Sequence, residues 1–469
     1  MEKTEGRFER LLGAWDMTAL AFGAAIGWGW VVLSGKWLLT GGTLGAILGF
    51  ALGGCMILFV GMTYSELCPA MPECGGEMTF SKRALGFNWS FVCAWALSLC
   101  YLGCVIFETC ALPSVFELVD PAFSQVYLYS VAGSDVYLTY ALVGSVGALV
   151  IMLINYFGIR FAAWLQKVMT ITLAVVGITL IVSALISGSL SNIKPLFANG
   201  VKGTFSVAIV TPFFLMGFDV IPQASEEANF SPKKLAKILI LSIILAASWY
   251  CIIIFSVSLV MDHNALSTSQ FCTADALARA WHTSSKFPIY VIVIAGLAGI
   301  LSTWNAFLVS GSRVIFAMAC EGMLPKFLAK IDPKHKTPSN AILLLGGISC
   351  IAPFFGRDML VWISDAASFS TVIAYGLVAV SFVVLRKKEP EMPRPYKVKN
   401  WKLVGTMAIL LCIGMFVLYL PGMPSGLKVS EWSIIALWSV FGVCMFLASR
   451  KHRQEILKKQ SSVPPPPTA

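Results

Sequence analysis

Apolar positions along this chain fall into long, nearly unbroken runs instead of short alternating ones. Each run is about 20 residues or more, the length a helix needs to cross a ~30 Å hydrocarbon layer. Short polar segments separate the runs. The pattern predicts an all-α polytopic membrane protein with twelve spans. They fall at roughly 14–34, 42–67, 90–118, 136–156, 161–187, 203–222, 236–261, 287–318, 340–356, 361–385, 403–421 and 431–449. An even number of passes places both termini on one side.

Composition strengthens that reading. The 469 residues are 57% hydrophobic and only 12% charged, whereas a soluble chain is about a quarter charged. Water-facing surface needs charge, so a larger core cannot absorb the deficit. A soluble enzyme is excluded as the leading class. The thirteen cysteines lie mostly inside the runs (Cys55, Cys93, Cys100, Cys104, Cys251, Cys412, Cys444), as small buried hydrophobes do. They show no disulfide or metal-ligand spacing, and the four histidines are scattered. No metal or cofactor is expected. The start, MEKTEGRFERLLGAWD, is polar and has no small-residue cleavage site, so no cleaved leader is expected. The end, SSVPPPPTA, is expected to be an extended, solvated tail.

Lysine and arginine orient the chain. With the N-terminus inside, inner segments hold 26 of the 34 basic residues and outer segments hold 7. Arg313, low in the eighth span, completes the count. The chain is therefore expected in the plasma (cytoplasmic) membrane with both termini in the cytoplasm. Its net charge of +10 needs no nucleic-acid partner, because basic loops suit an anionic inner leaflet. Nothing in the sequence addresses oligomeric state.

Two spans carry helix breakers at corresponding places. The first contains Gly23-Ala24-Ala25-Ile26-Gly27-Trp28-Gly29, and three glycines in seven residues weaken a helix by roughly 1 kcal/mol each. The sixth contains Thr211-Pro212-Phe213-Phe214-Leu215-Met216-Gly217-Phe218-Asp219. Interrupted helices at matching places in two halves point to a transporter site between inverted repeats. A half-helix N-terminus offers free amides and partial positive charge to a carboxylate. The unwound carbonyls suit an ammonium group or a cation. The competing reading is close helix packing through small residues. That reading fits Gly41, Gly42, Gly45, Gly49, Gly53 and Gly54 of the second span best.

These residues resemble the amino acid–polyamine–organocation superfamily of transporters. The first-span motif is similar to that family's Gly-(Ala/Ser)-x-Ile-Gly-(Ser/Thr)-Gly. Tyr64-Ser65-Glu66-Leu67, Pro72, Gly75-Gly76-Glu77 and Lys82-Arg83-Ala84-Leu85-Gly86 resemble its loop after the second span. Gly217-Phe218-Asp219, Glu226-Glu227, Asn229, Pro232 and Lys233 resemble its sixth span and the following loop. Ser312-Arg313, Gly322, Pro325 and Thr337-Pro338 resemble the foot of its eighth span. Arg386-Lys387, Pro390 and Arg394-Pro395 resemble the loop after its tenth.

The resemblance implies a five-plus-five inverted repeat, with residues 14–188 and 203–385 as its halves. Two further helices (403–449) and cytoplasmic tails (1–13 and 450–469) complete the chain. It implies alternating access and an amino acid substrate. The carboxylate would sit on amides near Gly27, Trp28 and Gly29, and the amino group on carbonyls near Ala24, Ala25 and Phe213 to Met216. The candidate substrate site is Ala24, Ala25, Ile26, Gly27, Trp28 and Gly29 with Phe213, Phe214, Leu215, Met216, Gly217 and Glu108. Trp28 departs from the family pattern, which has a hydroxyl residue there. Its bulk makes a smaller or differently bound substrate expected. Cys320-Glu321-Gly322 departs where Arg-Asp-Gly is common.

Ionisable residues inside spans cost at least about 2.5–3.5 kcal/mol at the centre, so each needs a reason. Glu108, mid-way along the third span, could carry a proton, meet a cationic substrate group, or simply bond a neighbouring helix. Asp219 is expected to cap the second half of the sixth span. Asp365 could cap the tenth. Glu66 and Asp16 fit either a gate pair or ordinary interfacial charge. Some proton-coupled members of the family carry a lysine mid-way along the fifth span; ungapped placement puts Thr172 or Leu173 there. Ser302 and Thr303 could join first-span carbonyls around a sodium ion, since hard cations prefer oxygen ligands. Ser302, Thr303 and Glu108 are thus the coupling-ion candidates, for Na+ or H+. The expected function is a secondary amino acid transporter, by symport or exchange. A carrier of small amines or polyamines, and a non-transporting membrane sensor or subunit, remain as alternatives. No nucleophile–base constellation marks an enzyme.

Overall fold

The computed structural model describes residues 10–120, 122–131, 134–269, 271–423 and 426–461. The first part of the N-terminal tail and the proline-rich end lie outside the described residues. Ten helices among those described are long and apolar enough to cross a membrane. Nine match the third to eighth and tenth to twelfth predicted spans within about four residues. The chain is thus an all-α polytopic membrane protein.

The remaining long segment, Gly29–Ala70, takes in the latter part of the predicted first span and all of the second. It is two helices that meet at Gly42, whose φ of +72° and ψ of 174° are not helical. The segment before the sixth span crosses here, with Thr43 N–H donating to the Pro195 carbonyl (3.2 Å) and Ala198 N–H to that of Gly41 (3.2 Å). A Cβ on residue 42 would lie 2.6 Å from the Ala198 nitrogen. Glycine supplies both the dihedral and the room. Two predicted spans appear as shorter helices. The first opens as Ala14–Ala25. The ninth is Ser339–Ile351 followed by a 3-10 turn, Ala352–Phe355, where Pro353 cannot continue an α-helix.

Two elements depart from the predicted all-helical pattern of spans and plain connections. Tyr127–Val131 pairs antiparallel with Ser134–Tyr137 in the connection between the third and fourth spans. The described part of the C-terminal tail, Arg450–Ser461, is a helix. It docks on the foot of the eighth span, with His452 Nε2 3.0 Å from the Ala319 carbonyl oxygen.

Phe87–Val119, Phe287–Cys320 and Met359–Lys388 hold the buried centre. Outer helices turn apolar stripes outward, as Ile171, Val175, Ile178 and Val182 do on the fifth span. Their spacing of three to four residues is one helix face, and an exposed apolar face of this length suits lipid. The second and sixth spans meet through small residues. Gly45, Gly49 and Gly53 oppose Thr204, Val207 and Thr211, the close approach that small residues every four positions permit.

The end of the molecule carrying most lysines and arginines, here the basic end, is laced by ion pairs. Buried Glu66 holds Arg386 (2.6 Å) and Arg394 (3.0 Å) and accepts from Val398 N–H (2.8 Å). It thereby anchors the connection after the tenth span. Asp16 pairs with Lys167 at 2.9 Å, joining the first helix to the fifth span. Arg313 pairs with Glu227 at 2.5 Å, both almost fully buried. Asp365 does not cap the tenth span, because the helix begins six residues earlier at Met359.

Candidate substrate site at two helix breaks

Helix Ala14–Ala25 ends and helix Gly29–Ala70 begins across the unwound residues Ile26, Gly27 and Trp28. The sixth span, Gly200–Leu215, breaks at Met216–Asp219 and resumes as the short turn Val220–Gln223. The two breaks touch. A Cβ on Gly217 would lie 2.7 Å from the Ala25 nitrogen and 2.9 Å from the Ala21 carbonyl oxygen. Gly217 also has φ +136°, which favours glycine.

A cavity of about 30 Å³ lies beside this contact. A water needs roughly 10–15 Å³ of such space, so the site has room for about two waters. Of the predicted site residues, Ala24, Ala25, Gly27, Trp28, Gly29, Glu108, Phe213, Phe214, Met216 and Thr303 line it. Four do not. Ile26 is wholly buried. Leu215 packs toward Gly54 of the second span, and Gly217 lies against the first helix. Ser302 faces the fifth span.

The wall divides by chemistry. The helix starting at Gly29 leaves its first two amides without intrahelical partners, with the Val31 N–H already donating to the Trp28 carbonyl (3.0 Å) and the Phe214 ring packed on Gly29. Opposite stands Glu108, whose Oε1 would be 3.4 Å from a Cβ on Gly27. Its Oε2 is buried with no hydrogen-bond partner. Among the described residues no basic side chain pairs with it. The first-helix carbonyls are partly engaged, since Thr303 Oγ1 reaches those of Gly23 and Ala24 (3.3 Å each) and Tyr250 O–H donates to that of Ala25 (3.0 Å). The rest is aromatic or sulfur-bearing, including Phe107, Phe213, Phe214, Phe307, Met216 and Cys104.

Trp28 closes the side away from the basic end. Its ring fills a notch at Gly296, where a Cβ would come within 1.8 Å, and it lies 6.2 Å from the Phe271 ring of the connection between the seventh and eighth spans. Asp219 does not cap the short helix after the break. Its Oδ1 instead accepts from Gly217 N–H at 2.8 Å, so the acid closes the break itself.

The coupling candidates separate. Thr303 stays at the first-helix carbonyls. Ser302 Oγ accepts from the Gln166 side-chain amide at 2.7 Å and lies 3.4 Å from Thr170 Oγ1. Gln166 and Thr170 also donate to the Ala19 carbonyl (3.3 and 3.2 Å). Asn305 continues this network, donating to Gln166 Oε1 (2.9 Å) and accepting from Asn155 (3.0 Å). The fifth-span residues facing Gly23 are thus Gln166 and Thr170. Thr172 bonds its own helix instead, and Leu173 packs on Gly299.

The sequence reading missed Cys104, Phe107, Tyr250 and Phe307. Cys104 lies four residues before Glu108, and Phe307 four after Thr303, so each shares a helix face with a residue already singled out. Tyr250 carries no such signal.

Fold and site together define a helical membrane protein with two unwound helices meeting at a small, largely apolar cavity. The family model for amino acid permeases matches residues 12–446, and the chain belongs to that family. It is 29% identical to the branched-chain amino acid permease BcaP of Bacillus subtilis, over 96% of this chain and 95% of that protein. It is 26% identical to the methylthioribose transporter of the same organism, over 94% of each. It is 25% identical to cationic amino acid transporter 8, vacuolar, of Arabidopsis thaliana, over 82% of this chain and 64% of that protein. The family and these relatives are transporters, not enzymes.

Proposed function

We propose that this protein is a secondary transporter of amino acids with uncharged, apolar side chains, working by alternating access. The observation that carries the reading is the contact of the two helix breaks beside one small cavity. Its polar groups sit at one place, where Gly27 and the start of the next helix lie beside Glu108 and the carbonyls of the first helix. They suit the carboxylate and ammonium of a zwitterion. The remaining wall is aromatic and sulfur-bearing, which suits an apolar side chain and offers a charged one no partner. The name of the BcaP relative, a branched-chain amino acid permease, agrees with this choice.

The same reading takes the twelve predicted spans as a five-plus-five repeat with two further helices. The basic end lies in the cytoplasm of a plasma-type membrane. In this reading the Gln166–Ser302–Asn305 network and the Asp16–Lys167 pair form the cytoplasmic closure, and Trp28 over Gly296 the outer one. Sodium coupling is disfavoured, because the Gln166 amide already uses Ser302. Proton coupling and exchange both accord with Glu108.

A second reading has one specific observation in its favour. Glu108 is an unpaired acid in the cavity, which would suit a simple amine. Counterflow of labelled leucine in vesicles containing the purified protein separates the two. Leucine counterflow, inhibited by isoleucine and valine but not by the corresponding amines, is expected. Inhibition by amines alone favours the amine carrier, and leucine binding without flux favours a sensor.

A further inference from the structure

Nearer the basic end than the substrate cavity lies a second group of buried polar atoms. Glu77 opens the short helix Glu77–Leu85, in the connection after the second span. It is wholly buried, as is Asp219 at the break of the sixth span. Gln223 donates one hydrogen bond to Glu77 Oε2. The Tyr64 hydroxyl faces Glu77 and the Tyr375 hydroxyl faces Asp219, and Gln223 Oε1 is buried without a hydrogen-bond partner. These atoms belong to one cluster. The Tyr64 and Tyr375 rings lie 5.8 Å apart, and both pack edge-on or tilted on Phe218, the neighbour of Asp219, at 5.2 and 5.4 Å. Tyr101 O–H, from the third span, donates to the Asp219 carbonyl at 2.9 Å.

The surrounding charges do not neutralise the pair. Cys68 of the second span and Cys93 of the third face Glu77 as buried thiols. The basic residues nearby are committed elsewhere. Arg313 pairs with Glu227, Lys82 with Glu321 and Arg83 with Glu389. Among the described residues no lysine, arginine or histidine pairs with Glu77 or Asp219. Two ionised carboxylates buried together without a cation are strongly unfavourable, because each lacks solvation and repels the other. Burial, and then the charge of Asp219, raise the pKa of Glu77 well above its ordinary value.

We propose that Glu77, Asp219, Tyr64 and Tyr375 form an internal proton site, separate from the substrate cavity, in which the two carboxyls share one proton while the basic end is closed. The proton leaves to water on the basic side when that end opens. Glu77 rides on the loop helix, whereas Asp219 closes the helix break through Gly217. Moving one against the other separates the carboxyls and exposes them, so each can ionise. The two tyrosines supply hydroxyls that can donate to one carboxyl and accept from the other. The site thereby links proton occupancy to the break that forms the substrate site. That last step rests on the transporter reading; the proton occupancy itself does not.

Infrared difference spectroscopy of the full chain in lipid tests the proton directly and needs no substrate. At neutral pH the wild type is expected to show a protonated-carboxyl signal that shrinks by one carboxyl in the Glu77→Gln, Asp219→Asn double variant. The signal should not change when choline replaces sodium. If the double variant does not fold, Tyr64→Phe with Tyr375→Phe keeps both acids. It should then shift the frequency of that signal without removing it. An undiminished signal in the acid variant, an unshifted one in the tyrosine variant, or a signal that falls when sodium is added overturns the proposal. The sodium result would instead mean that a hard cation occupies the site. Failure of leucine counterflow, by contrast, would bear only on the substrate reading.

Discussion

Gly217 of the sixth span rests against the backbone of Ala25 in the first helix, so close that a single added carbon would lie 2.7 Å from the Ala25 nitrogen. With φ at +136°, the position combines contact and dihedral constraint. Gly217→Ala should therefore cost about 1–3 kcal/mol from the backbone alone. A drop in thermal stability together with lost flux is expected. A variant as stable and active as the wild type would mean that the breaks do not meet.

Gly27 should be equally intolerant, for a reason that can be separated. A Cβ there would lie 2.4 Å from Thr303 Oγ1. Gly27→Ala should weaken leucine binding at least ~10-fold, about 1.4 kcal/mol. Removing the obstructing hydroxyl in Gly27→Ala, Thr303→Ala should restore part of the loss, as expected of residues in contact. A double variant no better than the single one would place the damage elsewhere.

Trp28 and Gly296 form one closure. Trp28→Ser should let larger amino acids compete for the site, and Gly296→Val should disturb the same closure by expelling the indole from its notch. Competition by amino acids of increasing side-chain size reads both. An unchanged size range in both variants would mean that the ring does not limit the cavity.

Gln166 holds Ser302 and Asn305 on the basic side. Gln166→Leu leaves both without that partner and should cost about 1–3 kcal/mol in stability. In the wild type, leucine flux should be indifferent to replacing sodium by choline. A sodium-dependent flux would show that an ion displaces the glutamine amide.

Glu77 gives a pH signature. An acid whose folded pKa is raised holds its proton more tightly when folded. Stability should then be greatest in acid and should fall as pH rises from the ordinary carboxyl value of 4.5 toward the raised folded value. Thermal-shift scans across that range should show the decline, and Glu77→Gln should flatten it. A slope of the opposite sign would mean that the folded state favours the carboxylate.

Much of this was legible beforehand because the membrane constrains sequence strongly. Helices that must bury every backbone polar group announce themselves as apolar runs, and nine of the long helices fall where the runs predicted. The breaks were legible for the converse reason: Gly23-Ala24-Ala25-Ile26-Gly27-Trp28-Gly29 and Gly217-Phe218-Asp219 violate the pattern. Roles that depend on which face meets which neighbour were not legible. Ser302 and Thr303 are adjacent and chemically alike, yet one faces the fifth span and the other the first. Asp219 looked like a cap because acids commonly cap, but it bonds backward to Gly217. Gln166 and Thr170 meet the first helix at Gly23, whereas Leu173 packs on Gly299 beside Gly27 and Thr172 bonds its own helix, because the facing positions follow from how the helices pack. Tyr250 reaches the cavity from a helix whose sequence reads as an unremarkable apolar run.

The central claim is that an amino acid binds where the two breaks meet and is carried across. Labelled-leucine counterflow, run in parallel on wild type and Gly27→Ala in matched vesicles, tests it most directly. The account predicts counterflow in the wild type and its loss in a variant that remains folded by thermal shift. Equal counterflow in both would contradict it.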